Sequence, residues 1–259
     1  MKKFSSFLVV LLLMLASFTA GMEYPRGDVN YDNQVDIEDV TWLINYILNG
    51  TWPDEPVTPP DTHEYVDLGL PSGTLWATCN VGADTPEEYG DYFAWGETEP
   101  KEEYTWETYK WCEGSKNTLT KYCAKSDYGY EGYVDDKKEL DPEDDAAYVN
   151  WGPSWRMPTY VQLIELFDKC TWTWTTQNGV NGRLLTGPNG NTLFMPAAGG
   201  HHDSILGGEG LVGDYWTRTL GYEYQDGAYM IVMSSEDDWW YSYYRYYGFT
   251  VRPVRVSQN

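Results

Sequence analysis

The sequence predicts an α+β protein: short antiparallel strands with one main helix, preceded by a small loop–helix module. Three observations predict it. Runs such as LWATCNVG, NTLFMPAAG and AYMIVMSS are short, aromatic or β-branched, and broken apart by Gly, Pro and Asn, as strands are. One segment, after Pro158 and Thr159, has helical rather than alternating spacing. Residues 50–64, GTWPDEPVTPPDTHE, carry Pro53, Pro56, Pro59 and Pro60, which can continue neither a helix nor a central strand, so they divide the chain.

The first element is residues 1–21. Lys2 and Lys3 give a short basic start, Phe7 to Ala16 is almost wholly apolar, and Ala20 and Gly21 are plausible cleavage flanks. The apolar run is too short to cross a bilayer, so it reads as a secretory signal peptide. No Cys lies near the cleavage flank, so no lipid anchor is expected there, and no later segment is apolar enough to span. The expected location is secreted or cell-surface. Composition agrees. The 17 basic and 40 acidic residues give a net charge of −23, which becomes −25 once Lys2 and Lys3 are removed. That charge repels nucleic acid and anionic membranes. Thirteen Trp and 23 Tyr are far more aromatic residues than a disordered chain carries.

Residues 23–50 form the small module. Its stretch GDVNYDNQVDIED places an oxygen-bearing side chain at every second position. Alternation of this kind could mark a half-buried strand. A helix follows at once, however: Asp36 can cap it, Ile37, Val40, Leu43, Ile44, Ile47 and Leu48 form its apolar side, and Gly50 closes it. Counting from Asp28 as position 1, Asn30 is 3, Asp32 is 5, Gln34 is 7, Asp36 is 9 and Asp39 is 12. An EF-hand loop takes ligands from those positions, with a backbone carbonyl at 7. The oxygen-only, carboxylate-rich set suits Ca²⁺ better than Mg²⁺, which demands a tight octahedron. The segment resembles one repeat of a type I dockerin, a calcium loop with its exiting helix. Asn33 stands where that family has Gly at position 6, and Asn tolerates the left-handed turn. Dockerins carry two repeats and this chain shows one, so their cohesin partner is a weaker expectation than the ion.

After the linker, 51–63, residues 64–259 form the large domain. Strands are expected in LWATCNVG, YGDYFAWGE, NTLFMPAAG, DYWTRT, AYMIVMSS and FTVRPVRV. The helix starts at Thr159 and carries Val161, Leu163, Ile164, Leu166 and Phe167 up to Cys170. Residues 127–145 are charged and Gly-containing and read as a surface loop with solvated carboxylates. Four Cys in an exported chain permit two disulfides; Cys112 with Cys123 closes the shortest loop and leaves Cys79 with Cys170. Buried thiols are the alternative.

The strings EYVDLGLPSGTLWATCNVGA, YGDYFAWGET, SWRMPTYVQLIEL, GNTLFMPAAG, GDYWTRT and GFTVRPVR, in that order, resemble the FISUMP (Fibrobacter succinogenes major paralogous) domains found on exported proteins of Bacteroidetes-type bacteria. The WRMPT-then-helix element, YWTRT and the terminal strand also resemble the wider C-type-lectin-like fold. The resemblance implies a fold rather than a reaction. The Glu-Pro-Asn and Trp-Asn-Asp runs of calcium-dependent lectins are missing, the nearest string being Glu236 to Trp240, EDDWW. The sulfatase-modifying enzymes of this fold need a Cys pair near the C-terminal end, and no Cys follows Cys170.

No G-x-S-x-G elbow and no Walker loop occurs, so no catalytic residue is named. Of the three His, His63 falls in the linker, and adjacent His201 and His202, in an expected loop, would point to opposite sides if extended. A glycosidase needs two opposed carboxylates, and 40 acidic residues offer no unique pair. The segment WWYSYYRYYGF is the remaining candidate. Trp239, Trp240, Tyr241 and Tyr243 on extended backbone present aromatic faces that stack on sugar rings; the alternative is that they pack inward. The expected function is an exported non-catalytic binding or adhesion module for polysaccharide or a surface protein. The alternative is an accessory, hydrolytic component of a polysaccharide-degrading system.

Overall fold

The computed structural model describes residues 37–49 and 62–256. The chain divides into two compact units, residues 1–60 and 61–259. In the first, the expected helix is present as α1 (Ile37–Asn49). Its inward side differs from the expected one. Asp39 and Trp42 are buried, whereas Ile37, Val40, Ile44, Ile47 and Leu48 are exposed. Apolar spacing reports that a helix forms, and a large aromatic such as Trp42 can still outcompete that stripe for enclosure. Of the proposed calcium ligands only Asp39 is among the described residues; Asp28, Asn30, Asp32, Gln34 and Asp36 lie outside them.

The second unit is mostly antiparallel strand. One sheet joins β1 (Tyr65–Asp67), β2 (Thr74–Ala77) and the C-terminal β11 (Val254–Val256), with β2 central. A second joins β3 (Thr171–Gln177), β4 (Val180–Thr186) and β5 (Thr192–Pro196). A two-stranded ribbon is made by β6 (Gly200–His202) and β7 (Ile205–Gly207). The third sheet places β8 (Val212–Leu220), β9 (Gly227–Ser234) and β10 (Asp238–Tyr244) side by side, with β10 at the edge. The helices are α2 (Ala146–Trp151) and α3 (Tyr160–Lys169).

Helix α3 begins where its sequence says it should. The Thr159 hydroxyl accepts from the Gln162 amide at 3.2 Å, and the Gln162 side chain accepts from the Thr159 amide at 2.9 Å. That reciprocal pair satisfies two otherwise orphaned donors. Leu163 and Leu166 are buried with Tyr215 of β8, Ile231 and Met233 of β9, and Trp76 of β2. Strand alternation sends the other set the opposite way. Trp216 of β8 and Ala228 and Met230 of β9 join Trp95, Trp155 and Phe249 in a second core. Strands β8 and β9 are thus covered on both sides, and the edge strand β10 is not.

The YFAWG segment forms no extended strand; it is tied to β8 by tryptophans instead. Trp95 Nε1 donates to the Thr217 carbonyl and Trp216 Nε1 to the Phe93 carbonyl, each at 2.8 Å. The terminal segment is clamped by Arg252, which is almost fully enclosed. Its guanidinium donates to Asn80 Oδ1 at 2.8 Å and to the carbonyls of Thr78 and Phe194 at 2.8 and 3.0 Å.

Three expectations are corrected. All four cysteines are free thiols. Cys112 Sγ donates to the Trp106 carbonyl at 3.1 Å and Cys123 Sγ to the Lys125 carbonyl at 3.2 Å, so each is engaged by its own turn and not by the other. Cys79 and Cys170 are likewise unpaired as a disulfide. The 127–145 segment is not a solvated loop throughout. Asp144 and Asp145 are buried. Asp145 caps α2 by accepting from the amides of Ala147 and Tyr148, and also holds Met157 N at 3.0 Å. Asp144 accepts from Tyr122 Oη and Lys121 Nζ at 2.5 and 2.6 Å. Carboxylates at such helix and turn starts are drawn inward by bare amide donors. Third, His63 is packed on the large unit, stacked on Trp151 at a centroid distance of 3.8 Å.

Candidate functional site

Strand β10 carries the aromatic residues singled out in the sequence. Trp239, Trp240, Tyr241 and Tyr243 are 43, 46, 56 and 37 % exposed. Their register decides what each can do. Trp239 is paired with Val232 and Tyr241 with Met230, so the odd-numbered residues share the side of the sheet that carries Asp214 and Trp216. Trp240 lies on the other side, against Tyr160 of α3 at 5.2 Å, edge to face, and Tyr160 stacks on Tyr229 at 4.3 Å. The expectation of alternate aromatic faces describes the strand well. Inward packing applies only in part: Tyr243 meets Tyr247 edge to face at 4.6 Å while keeping more than a third of its surface exposed.

A cavity opens on each side. The α3 side has one of about 640 Å³ between Tyr160, Phe167, Asp168 and Trp240. The other side has one of about 410 Å³, walled by Trp239, Tyr241, Tyr243, Tyr247 and Phe249, with Asp214 and Gly200 at its border. Trp239 lines both. Open, aromatic-walled clefts with one or two polar groups are what ligand sites consist of.

Three aspartates line these cavities and they differ: Asp168 is exposed. Asp238 accepts from Arg183 Nε at 2.7 Å and is an ordinary structural ion pair. Asp214 has its backbone carbonyl held by the Thr250 amide and hydroxyl at 3.2 and 2.9 Å, but its carboxylate meets no donor and no cation among the described residues. Burial alone pushes its carboxyl up to about 7. A glycine is needed beside it: a Cβ at Gly200 would stand 3.2 Å from Asp214 Oδ2 and 2.6 Å from the Phe249 ring.

His201 and His202 sit on strand β6 and not in a loop, because both pair with β7. His201 lies against Tyr92 and Tyr104, at 4.8 and 5.2 Å, and burial lowers its pKa. His202 faces Asp203 at 3.3 Å and the Tyr247 ring at 4.7 Å. The two imidazoles therefore serve different environments. Among the described residues no three His, Cys, Asp or Glu side chains are grouped to hold a metal ion. No helix among them is long and apolar enough to cross a membrane.

Asp214 and Gly200 were not singled out in the sequence as site residues, and Tyr247 and Phe249 were included only as part of the WWYSYYRYYGF run. A signal existed for the first. Within DYWTRT, Asp214 is two residues from Trp216 on an extended run, so a carboxylate shares the side of a core tryptophan. No protein family, no curated protein and no solved structure is found to match this chain.

Proposed function

We propose that this chain is an exported, non-catalytic binding or adhesion module for glycan or protein partners, with β10 as its binding edge. One observation carries the reading. Trp239, Trp240, Tyr241 and Tyr243 stay substantially exposed together on both sides of one edge strand, beside two clefts. Exposed aromatic clusters of this size mark interaction surfaces. Rings with hydrogen-bonding edges suit stacking on sugars, and each well-formed ring contact contributes about 0.5–1.5 kcal/mol beyond the area it covers.

The same reading includes a FISUMP-type, C-type-lectin-like assignment for residues 64–259. The short antiparallel strands, the main helix after WRMPT and the terminal strand paired into the first sheet support it. It includes a dockerin-like repeat binding one Ca²⁺ through Asp28, Asn30, Asp32, Gln34, Asp36 and Asp39. The ligand spacing and the helix that starts at Ile37 support that. Export rests on the leader, and a cohesin partner stays the weaker expectation.

Hydrolysis by this site is the second reading, because a carboxyl raised by burial in an aromatic cleft resembles a general acid. Glycoside hydrolysis needs a second carboxyl across the scissile bond, and Asp214 is the one carboxyl lining its cavity among the described residues. Binding is therefore favoured. A glycan-binding screen set beside a hydrolysis assay on the same polysaccharides tests this: retention of intact polymer supports the module, and release of reducing ends overturns it.

A further inference from the structure

Asp214 is a half-buried carboxyl with no cation beside it among the described residues. It lies in one cross-strand row with Val232 and Trp239, and the adjacent row is Trp216, Met230 and Tyr241. Its nearest surroundings are apolar or aromatic: Met230, Val232 and the rings of Tyr243, Tyr247 and Phe249. Among the described residues no lysine or arginine lines the cavity. The faces of aromatic rings carry negative charge density, so walls and carboxylate disfavour a second anion and favour a cation. A neutral hydroxyl could hydrogen-bond to Asp214 but would leave its charge unbalanced in a poorly hydrated place. The net charge of −23 adds a long-range attraction of the same sign.

Size and continuity narrow the ligand. About 410 Å³ is more than a single ammonium group fills, and Trp239 carries the aromatic surface across into the neighbouring cleft. A ligand of linked rings fits this better than one flexible side chain. We propose that the cavity takes the protonated amine of an amino sugar within a glycan, with Asp214 as the counter-charge, the Tyr241, Tyr243 and Tyr247 rings as walls, and Trp239 as the platform for the next sugar. This names the ligand class of the binding edge described above, and so rests on that reading.

The protein carrying a full chain is titrated by calorimetry with three trisaccharides: β-1,4-linked glucosamine, its N-acetylated form, and β-1,4-linked glucose. A lysine-containing peptide is a fourth probe. The amine-bearing sugar should bind at least about tenfold tighter than either neutral one, the scale of one desolvated charge contact. Asp214→Asn should remove that preference, and Asp237→Asn, at an exposed carboxylate, should keep it. At about pH 5, where the sugar amine is already protonated and the Asp214 carboxyl still holds its proton, binding should also release protons, because the ammonium group favours the ionised carboxylate; the release is seen as a heat that varies with the buffer's ionisation enthalpy. Equal affinities, or a preference that survives Asp214→Asn, overturn the amine while leaving glycan binding standing. Binding of the peptide without any trisaccharide, or of no probe, overturns both. The preference of the parent protein alone is decisive should Asp214→Asn fail to fold.

Discussion

Asp214, half-buried, and Arg252, enclosed, are both ionisable, and their surroundings assign them opposite roles. Arg252 is answered by Asn80 Oδ1 and by main-chain carbonyls of the 77–78 turn and β5, a planar fork met by fixed acceptors. Replacing it with Leu leaves those acceptors bare and should cost about 3 kcal/mol or more in denaturant unfolding. Asp214 is answered by nothing among the described residues, and its carboxyl is pushed from 3.8 up to about 7 by desolvation. The folded state therefore holds this proton more tightly than the unfolded chain does between those two values. Its contribution is favourable at low pH and is lost as pH rises through about 7. Tyr241, Tyr243 and Tyr247 are the other titratable groups lining the cavity among the described residues, and burial pushes the Tyr247 hydroxyl upward, away from that window. Asp214→Asn should make the protein more stable above neutral pH, on the order of 2 kcal/mol, and remove this part of the pH dependence. Equal stability of parent and variant at pH about 8 would mean the carboxylate is not held dry.

At the scale of elements, local chemistry was legible and long-range chemistry was not. Helix α3 could be read because Thr159 and Gln162 cap it within four residues and Leu163 and Leu166 repeat at its period. Thr159→Ala should lower stability by about 1 kcal/mol, measured by thermal unfolding. Strand β10 was legible as an aromatic run, though its edge position was not. The hairpin of β3 and β4 went unread despite its signal: Trp172 and Trp174 alternate with Thr, and Asn178-Gly179 makes the turn with φ of 47° and 88°. The 127–145 carboxylates were misread because charge alone speaks for water, whereas Asp145 is enclosed by Met157, twelve residues further on. The Cys112 and Cys123 pairing failed for a related reason. Short separation in sequence does not place two thiols together when each turn supplies its own carbonyl acceptor. The Asp214 cavity joins Gly200, Asp214, Met230 and Val232 to rings of the WWYSYYRYYGF run, so no local window contains it.

At the scale of the molecule, the two units are expected to answer to different ligands. Calcium added to the full chain should raise helicity, and Asp28→Ala with Asp32→Ala should abolish that response without changing the unfolding temperature of residues 61–259. A module of about thirty residues is too short to build a large core, so, on the proposed calcium loop, ion binding and folding should be coupled there. The large unit carries the central claim, that β10 is a binding edge whose aromatics are kept for a partner and not for stability. The most direct test is the Trp239→Ala, Tyr241→Ala double variant, compared with the parent for retention on the polysaccharides that the parent binds and for its unfolding temperature. The account predicts that retention falls at least about tenfold, as expected when central aromatic anchors are removed, with the unfolding temperature lowered by only a few degrees because both rings are already about half exposed. Undiminished retention, or a collapse of stability that accounts for the loss, would contradict it.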